Sequence, residues 1–274
     1  MPRITNVRAV YFTGTGNTKA MVCAVAKAAA DKLGCPMESL DCSLPAARQQ
    51  PLTFSPDELL VLGTPVYAGR VPNVLLPWLT GQFTGNGAPV IPVVTYGNRN
   101  FDDGLMELRN LSIANGFVPV GAAAFVGTHS FSTTLGAGRP NQDDMALAAQ
   151  LGTQAAEKLL ADAPLQPVAV EGEDPIRPYY TPRDRNGTPI NILKVKPKTD
   201  PDKCVKCGLC ARLCPMGSID FEDFSNVAGK CIKCCACVKK CPTGAKYFDH
   251  EGYLYHQHEL EDVYGVRRAE TKIF

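Results

Sequence analysis

The chain has 274 residues, 45% of them hydrophobic and 20% charged, which is enough for about two packed domains. Its 28 Lys and Arg residues nearly balance its 27 Asp and Glu residues, so a net charge of +1 gives no general attraction for nucleic acid or for a membrane surface. No apolar stretch reaches the roughly 18 uncharged residues that a membrane-spanning helix needs.

Residues 1–163 alternate short apolar runs with segments of helical periodicity. The predicted strands are residues 7–12, 37–40, 59–63, 90–95 and 118–126, of which 37–40 has the weakest pattern. The predicted helices are residues 19–33, 101–116 and 143–160. Strands that alternate with helices predict an α/β fold with a doubly wound, five-stranded parallel sheet.

A glycine- and threonine-rich loop follows the first strand. It leads directly into a helix, so its backbone N–H groups and the helix N-terminus could bind a phosphate. The loop contains no Lys or Arg, and it matches neither the dinucleotide nor the P-loop pattern. A plain strand-to-helix turn is the alternative. The loop residues are Thr13, Gly14, Thr15, Gly16, Asn17 and Thr18.

Two further loops follow predicted strands and should lie at the same sheet edge, where open α/β sheets bind ligands. The candidate binding residues of these two loops are Pro65, Val66, Tyr67, Ala68 and Gly69, and Tyr96, Gly97, Asn98, Arg99 and Asp102. Tyr67 and Tyr96 could flank a planar ring, and His129 follows the last strand. These three are the candidate catalytic residues, with packed aromatics and a structural histidine as the alternatives.

Residues 164–201 predict a linker, because they hold eight of the 22 prolines and proline interrupts helices and central strands. Residues 202–249 predict a small second domain, and residues 250–274 a C-terminal tail. We expect His256 and His258 of this tail at the surface.

The second domain contains the run Cys-x2-Cys-x2-Cys-x3-Cys-Pro twice, with a period of 27 residues. In bacterial-type [4Fe–4S] sites, the fourth cysteine of each run binds the other cluster. Structural zinc is the alternative, but zinc sites use paired Cys-x2-Cys units. The spacing predicts one cluster on Cys204, Cys207, Cys210 and Cys241, and another on Cys231, Cys234, Cys237 and Cys214.

The other cysteines and the N-terminus indicate the compartment. Nine of the 12 cysteines lie between Cys204 and Cys241, which favours metal binding over a disulfide scaffold. Cys235 breaks the ligand spacing and is either a packed thiol or an exchangeable ligand. Residues 1–12 lack the features of a secretory signal. We therefore expect a cytoplasmic protein.

The stretches FTGTGNT, GTPVYAGRVP, TYGNRNFDD and THSFS, together with the two cysteine runs, resemble a bacterial and archaeal family of flavodoxin–ferredoxin fusions, the EFR1-type ferredoxins. The resemblance implies a flavodoxin-like domain with FMN, its phosphate on residues 13–18, and a small α+β bacterial ferredoxin domain with two [4Fe–4S] clusters. It implies electron transfer without defining a substrate.

Several functions stay open on this basis. The protein could be a flavin-dependent reductase of a small organic acceptor in anaerobic metabolism, fed by ferredoxin or a similar donor. It could be a carrier without a substrate that docks on partner redox enzymes, or a redox sensor. Arg70 and Arg99 would stabilise negative charge on a reduced flavin and favour two-electron chemistry. The alternative is that both are solvated or bind the acids of the linker, Glu171, Glu173 and Asp174. The flavin and the clusters could meet within one chain or across a homodimer, and of the two we favour the homodimer.

Overall fold

The computed structural model describes residues 3–161 and 163–274. Met1, Pro2 and Asp162, all within the predicted first domain, lie outside the described residues. The strands are β1 Asn6–Tyr11, β2 Met37–Asp41, β3 Leu52–Thr53, β4 Glu58–Pro65, β5 Phe83–Thr84, β6 Pro89–Tyr96, β7 Val118–Pro119, β8 Ala123–Val126, β9 Lys198–Thr199, β10 Lys246–Tyr247 and β11 Lys272–Ile273. The helices are α1 Asn17–Leu33, α2 Leu76–Gly81, α3 Gly104–Ala114, α4 Gln142–Leu160, α5 Leu209–Arg212, α6 Ala236–Lys239 and α7 Glu251–Tyr264.

Five parallel strands form the main sheet in the order β2-β1-β4-β6-β8. Counted along the chain this is the order 2-1-3-4-5 of the flavodoxin-like fold, so the predicted fold class is confirmed. The predicted strand at residues 118–126 is interrupted between β7 and β8. There the backbone of Ala122 exchanges two hydrogen bonds with Phe274 instead of continuing the ladder with β6.

Helices cover both faces of the sheet, as the apolar strands require. One core packs α1 and α4 against β1, β4 and β6, and the second core packs α2 and α3 against the opposite face. Both cores are built from fully buried aliphatic and aromatic side chains. The carboxyl ends of the central strands are left uncovered by these helices, and the loops that follow them form the candidate site.

The C-terminal tail returns to the first domain. Strand β11 pairs antiparallel with β8 at the sheet edge. The Asn98 amide donates to the carbonyls of Tyr264 and Arg267, and its oxygen accepts from the Ala269 N–H. The expected surface position is wrong for His256, which is 6% exposed, whereas His258 is exposed. Among the described residues, none of the helices has the length and apolar character to cross a membrane.

The linker is held on the first domain by one buried carboxylate. Asp103, whose side chain is 1% exposed, accepts from the backbone N–H groups of Glu173 and Arg177 and from the Arg177 guanidinium at 2.6 and 2.8 Å. The Tyr179 hydroxyl also donates to the Val71 carbonyl. Residues 173–179 of the linker therefore follow a path fixed along the first domain rather than forming a free tether.

Replacing Asp103 by asparagine should free the linker and lower the free energy of unfolding by about 2 kcal/mol, since hydrogen bonds to a charged group are lost. The hydrogen bond from Arg177 lowers the pKa of Asp103 from 3.8 to about 2. Because the pKa of Asp103 is lower in the folded than in the unfolded protein, the ionised carboxylate stabilises the fold above pH ~4. This contribution disappears as the pH falls toward 2.

Protease cleavage of the linker measures its release from the first domain. The melting temperature as a function of pH measures the loss of stability. Asp174→Asn is the matched control, because Asp174 is an exposed linker carboxylate. Equal cleavage of the Asp103→Asn and Asp174→Asn proteins would contradict the proposed anchor.

The cysteine-rich module is small and packs directly on the first domain. It contains the β9–β10 pair and the short helices α5 and α6. The Arg48 guanidinium donates to the Pro215 carbonyl at 2.9 Å. The Lys239 ammonium donates to the carbonyls of His129 and Ser132. Lys239 thus joins the module to the first domain through hydrogen bonds.

Candidate functional site

The loop between β1 and α1 forms one wall of a cavity, here called the phosphate pocket. The Thr13 N–H donates to the Ser43 hydroxyl at 2.9 Å, and the Thr13 hydroxyl accepts from the Gly16 N–H at 3.0 Å. The other walls come from the loops after β4, β6 and β8. The pocket is lined by Thr13, Gly14, Thr15, Asn17, Thr18, Pro65, Val66, Tyr67, Thr95, Tyr96, Gly97, Thr128, His129 and Ser130.

The phosphate pocket fits a phosphate group bound by neutral donors. In the described part of the chain, no protein group accepts from the N–H groups of Thr15, Asn17 or Thr18, and the α1 N-terminus adds partial positive charge. The Asn17 amide instead donates to the Thr128 carbonyl, and the Thr18 hydroxyl bonds to Thr95 at 2.7 Å. These two side chains hold the walls together, so the free donors belong to the backbone.

A second cavity, here called the ring pocket, adjoins the phosphate pocket. The two share six lining residues: Val66, Tyr67, Tyr96, Gly97, His129 and Ser130. Ala68, Gly69 and Arg99 of the predicted loops also line the ring pocket, and so do Tyr180, Ile232, Lys233 and His256. The structure therefore brings most of the predicted binding residues together, and adds residues from the linker, the cysteine-rich module and the tail.

Three predicted binding residues do not line either cavity. The Asn98 side chain forms its hydrogen bonds with the C-terminal tail. Asp102 pairs with Arg99, and its side chain lies close to Gly69. Gly16, with a φ of 116°, begins α1 just outside the pocket lining. Asn98 and Asp102 look like cofactor residues in the sequence, because a loop of polar residues does not show which of them bind the protein itself.

The two arginines expected near a flavin are compensated. Arg70 forms an ion pair with Glu107, stacks on Tyr179 at 4.4 Å and lines neither cavity. Arg99 lines the ring pocket but pairs with Asp102. The expectation that both guanidinium groups stabilise a reduced flavin is therefore wrong for Arg70, and the neighbouring carboxylate weakens it for Arg99.

Two neutral histidines line the ring pocket. Burial lowers the pKa of His129 to about 3, helped by the nearby Lys239, and burial lowers the pKa of His256 to about 4. His129 Nδ1 accepts from the Phe131 N–H at 3.1 Å, so the proton of the neutral ring belongs on Nε2. At neutral pH both imidazole rings are uncharged. They can therefore donate a hydrogen bond, but they carry no extra proton to give to a ligand.

Sequence reasoning missed His256 as a pocket residue. The sequence did contain a pattern that could have indicated it: Tyr253, His256 and Leu260 recur at helical spacing, which predicts one buried helix face. All three are buried in the structure.

The eight predicted ligand cysteines form two separate groups, each around its own cavity. The first cavity is lined by Cys204, Cys207, Cys210 and Cys241, and the second by Cys214, Cys231, Cys234 and Cys237. Each group combines three cysteines of one run with the fourth of the other, the arrangement that the spacing predicted. Among the described residues, no group of His, Cys, Asp or Glu side chains gathers around a single-ion site.

The backbone around both cavities suits sulfur ligands. N–H groups of Ser218, Lys233 and Ala245 donate to the sulfurs of Cys214, Cys231 and Cys241 at 3.3–3.4 Å. Left-handed residues also recur with the 27-residue period: Lys206 and Lys233, Gly208 and Cys235, and Gly217 and Gly244. Cys235 thus occupies the turn position that Gly208 fills in the first run, and its sulfur lies 3.4 Å from the Tyr253 hydroxyl.

The phosphate loop contacts the second cysteine cavity within one chain. A Cβ placed on Gly14 would lie 3.0 Å from the Cys234 Cβ and 3.1 Å from the Tyr67 hydroxyl. Burial raises the pKa of Tyr67 well above its usual value, and the neighbouring Cys234 adds to this. The first cavity has an exposed ligand candidate, Cys207, whereas Cys234 is buried.

Comparison with known proteins supports the cysteine-rich module. Residues 197–220 match the family model of the 4Fe-4S binding domain, which covers the first cysteine run but not the second. No curated protein matched the chain. Residues 197–220 are therefore similar to a 4Fe–4S binding domain, and they follow an α/β domain with the flavodoxin-like strand order.

Similar solved structures include several flavodoxins. An archaeal flavodoxin has 15% identity and a TM-score of 0.41, with 57% of this chain and 99% of that chain covered. The Streptococcus pneumoniae TIGR4 flavodoxin has 18% identity and a TM-score of 0.39, with 58% and 100% covered. An oxidoreductase from Corynebacterium diphtheriae has 16% identity and a TM-score of 0.42, with 59% and 100% covered.

Proposed function

We propose that this protein is an iron–sulfur flavoprotein that moves electrons between two [4Fe–4S] clusters and FMN. The observation that carries the proposal is the contact between Gly14 of the phosphate loop and Cys234 of the second cysteine group. A bound flavin and a cluster would be neighbours there, and a short separation is what electron transfer requires. FMN supplies one- and two-electron redox chemistry, and the clusters supply single electrons.

The chain would hold FMN through the backbone of the phosphate loop and the walls of the ring pocket. Free N–H groups of Thr15, Asn17 and Thr18 would bind the phosphate. Tyr67 and the Tyr96–Gly97 backbone line the passage from the phosphate pocket to the ring pocket. His129 would donate a hydrogen bond from Nε2 toward the ring pocket, because burial keeps it neutral.

The two cysteine groups would act in sequence. The first group, which includes the exposed Cys207, would hold the cluster that exchanges electrons with a ferredoxin or a similar donor. The second group, which includes Cys234, would hold the cluster next to the flavin. Thiolates ligate iron–sulfur clusters. The backbone N–H groups that donate to the sulfurs of Cys214, Cys231 and Cys241 would stabilise the negative charge on these thiolates.

A reductase function has more support than a carrier function. The ring pocket is lined by Tyr67, Tyr180 and the two neutral histidines, and it adjoins a larger cavity beside the linker. Such space suits a small organic acceptor, reduced in the cytoplasm during anaerobic metabolism. A carrier that docks on partner enzymes needs a short path to the surface but no such space, so it is the second candidate.

The expected homodimer stays a prediction, and the contact of Gly14 with Cys234 within one chain supports transfer without it. Flavin reduction through the clusters should therefore be first order and independent of protein concentration. The test is anaerobic purification, assay of FMN and iron, and stopped-flow reduction by a constant, saturating excess of reduced ferredoxin at several protein concentrations. A chain that binds neither FMN nor iron would refute the proposed function. A rate that rises with protein concentration would refute transfer within one chain.

A further inference from the structure

A third cavity, here called the linker chamber, lies beside the ring pocket. Its volume of about 770 Å³ is typical of small-molecule sites. It shares eight lining residues with the ring pocket, among them Tyr67, Tyr180 and Lys233, and Cys231 of the second cysteine group also lines it. The chamber is thus next to both candidate redox sites.

The walls of the linker chamber are anchored. A hairpin at residues 182–190 is closed by hydrogen bonds from the Ile190 N–H to the Pro182 carbonyl and from the Asp184 N–H to the Thr188 carbonyl. The Tyr255 hydroxyl of α7 accepts from the Arg185 N–H at 2.9 Å. These bonds fix the hairpin internally and against α7, so this wall of the chamber is a defined part of the fold.

The charged residues that line the chamber are both positive. Its lining is mainly aromatic and aliphatic, with Lys230 and Lys233 as its charged residues and no carboxylate among the described residues. In the described parts of the chain, neither lysine forms an ion pair. The Lys233 ammonium donates to the carbonyls of Leu193 and Cys231, which leaves one of its three N–H donors for a ligand.

The rim adds an apolar contact surface. Leu193 also lines the chamber, and 78% of it is exposed, although the adjacent Ile192 is buried. An exposed leucine beside unpaired lysines matches a ligand that has an apolar body and a negative end. A purely polar anion would leave the exposed Leu193 side chain and the apolar parts of the lining without an apolar contact.

We propose that the linker chamber binds a small, planar, mainly apolar organic anion of the aromatic carboxylate class, with its carboxylate at Lys230 and Lys233. The inference rests on the proposed function, since the chamber adjoins the ring pocket that would hold the flavin. It goes further, because it names the class of ligand and the residues that select it.

The test is calorimetric titration of the full chain, loaded with FMN and iron, with 2-naphthoate as the probe. We expect one site per chain, and binding at least about tenfold weaker for 2-naphthalenemethanol, which has the same body without the charge. Lys233→Gln should also weaken naphthoate binding about tenfold and leave naphthalenemethanol binding unchanged. Lys194→Gln, an exposed lysine outside the lining, is the matched control and should bind like the parent.

Three outcomes would overturn the inference. They are the absence of binding heat, equal affinity of the Lys233→Gln and parent proteins, and binding only to FMN-free protein, which would assign the chamber to the flavin itself. FMN and iron assays on the same samples separate these results from failure of the proposed function. Lys230→Gln gives a second variant if Lys233→Gln loses iron.

Discussion

Replacing Cys234 by alanine is expected to remove one cluster and to stop electron flow from the remaining cluster to FMN. The iron content should fall from about eight to about four atoms per chain, because each [4Fe–4S] cluster needs its four thiolates. FMN should still bind, since its phosphate would be held by backbone donors of the α1 loop. Direct chemical reduction of the flavin should therefore persist while reduction through a ferredoxin is lost.

The matched control for this experiment is Cys235→Ala. Cys235 is adjacent and equally buried, and it lines the same cavity, but it occupies the turn position of Gly208 rather than a ligand position. We expect this variant to keep its iron and its flavin reduction. Iron assay, the visible spectrum and stopped-flow kinetics measure all three properties. Iron loss in the Cys235→Ala protein together with retention in the Cys234→Ala protein would reverse the ligand assignment.

Replacing Gly16 by valine is expected to weaken FMN binding by about 10- to 100-fold. The φ of Gly16 is 116°, which a residue with a Cβ adopts only at a cost of about 1–3 kcal/mol. The space beside it is open, with no atom within 4 Å of an added Cβ, so backbone strain is the cause rather than a clash. Relief of the strain would turn the N–H groups of the loop away from the phosphate.

Gly34→Val separates loss of stability from loss of binding. Gly34 also has a positive φ, of 67°, and open space around it, but it ends α1 at the far end from the loop. Both variants should melt at a lower temperature than the parent, and only Gly16→Val should lose FMN affinity. Fluorescence titration with FMN and thermal melting measure the two effects. Equal FMN affinity of the two variants would show that the loop does not bind the phosphate.

The sequence alone predicts those features that depend on local spacing. Apolar runs that alternate with helical periodicity predicted the parallel sheet, because strand and helix periods follow from backbone geometry. The 27-residue repeat predicted how the eight cysteines would be grouped, because each run forms the same tight turns. Those turns recur at Lys206 and Lys233 and at Gly208 and Cys235.

Features that depend on pairs of distant residues needed the tertiary structure. Arg70 is neutralised by Glu107, Asn98 is satisfied by the tail, and His256 enters the ring pocket from α7. In each case the interacting residues are far apart in the sequence. The sequence also does not distinguish a polar loop residue that binds a ligand from one that binds another part of the protein.

The position of the cysteine-rich module on the flavodoxin-like domain is the clearest case. The cysteine spacing by itself determined that the module could group its thiolates around two sites, and the strand pattern determined the sheet beneath the phosphate loop. Only the tertiary structure decided that Cys234 lies against Gly14, because a proline-rich linker has no periodicity that encodes its path. That path depends on anchors such as the Asp103–Arg177 ion pair, whose energy exists only when both segments are folded together.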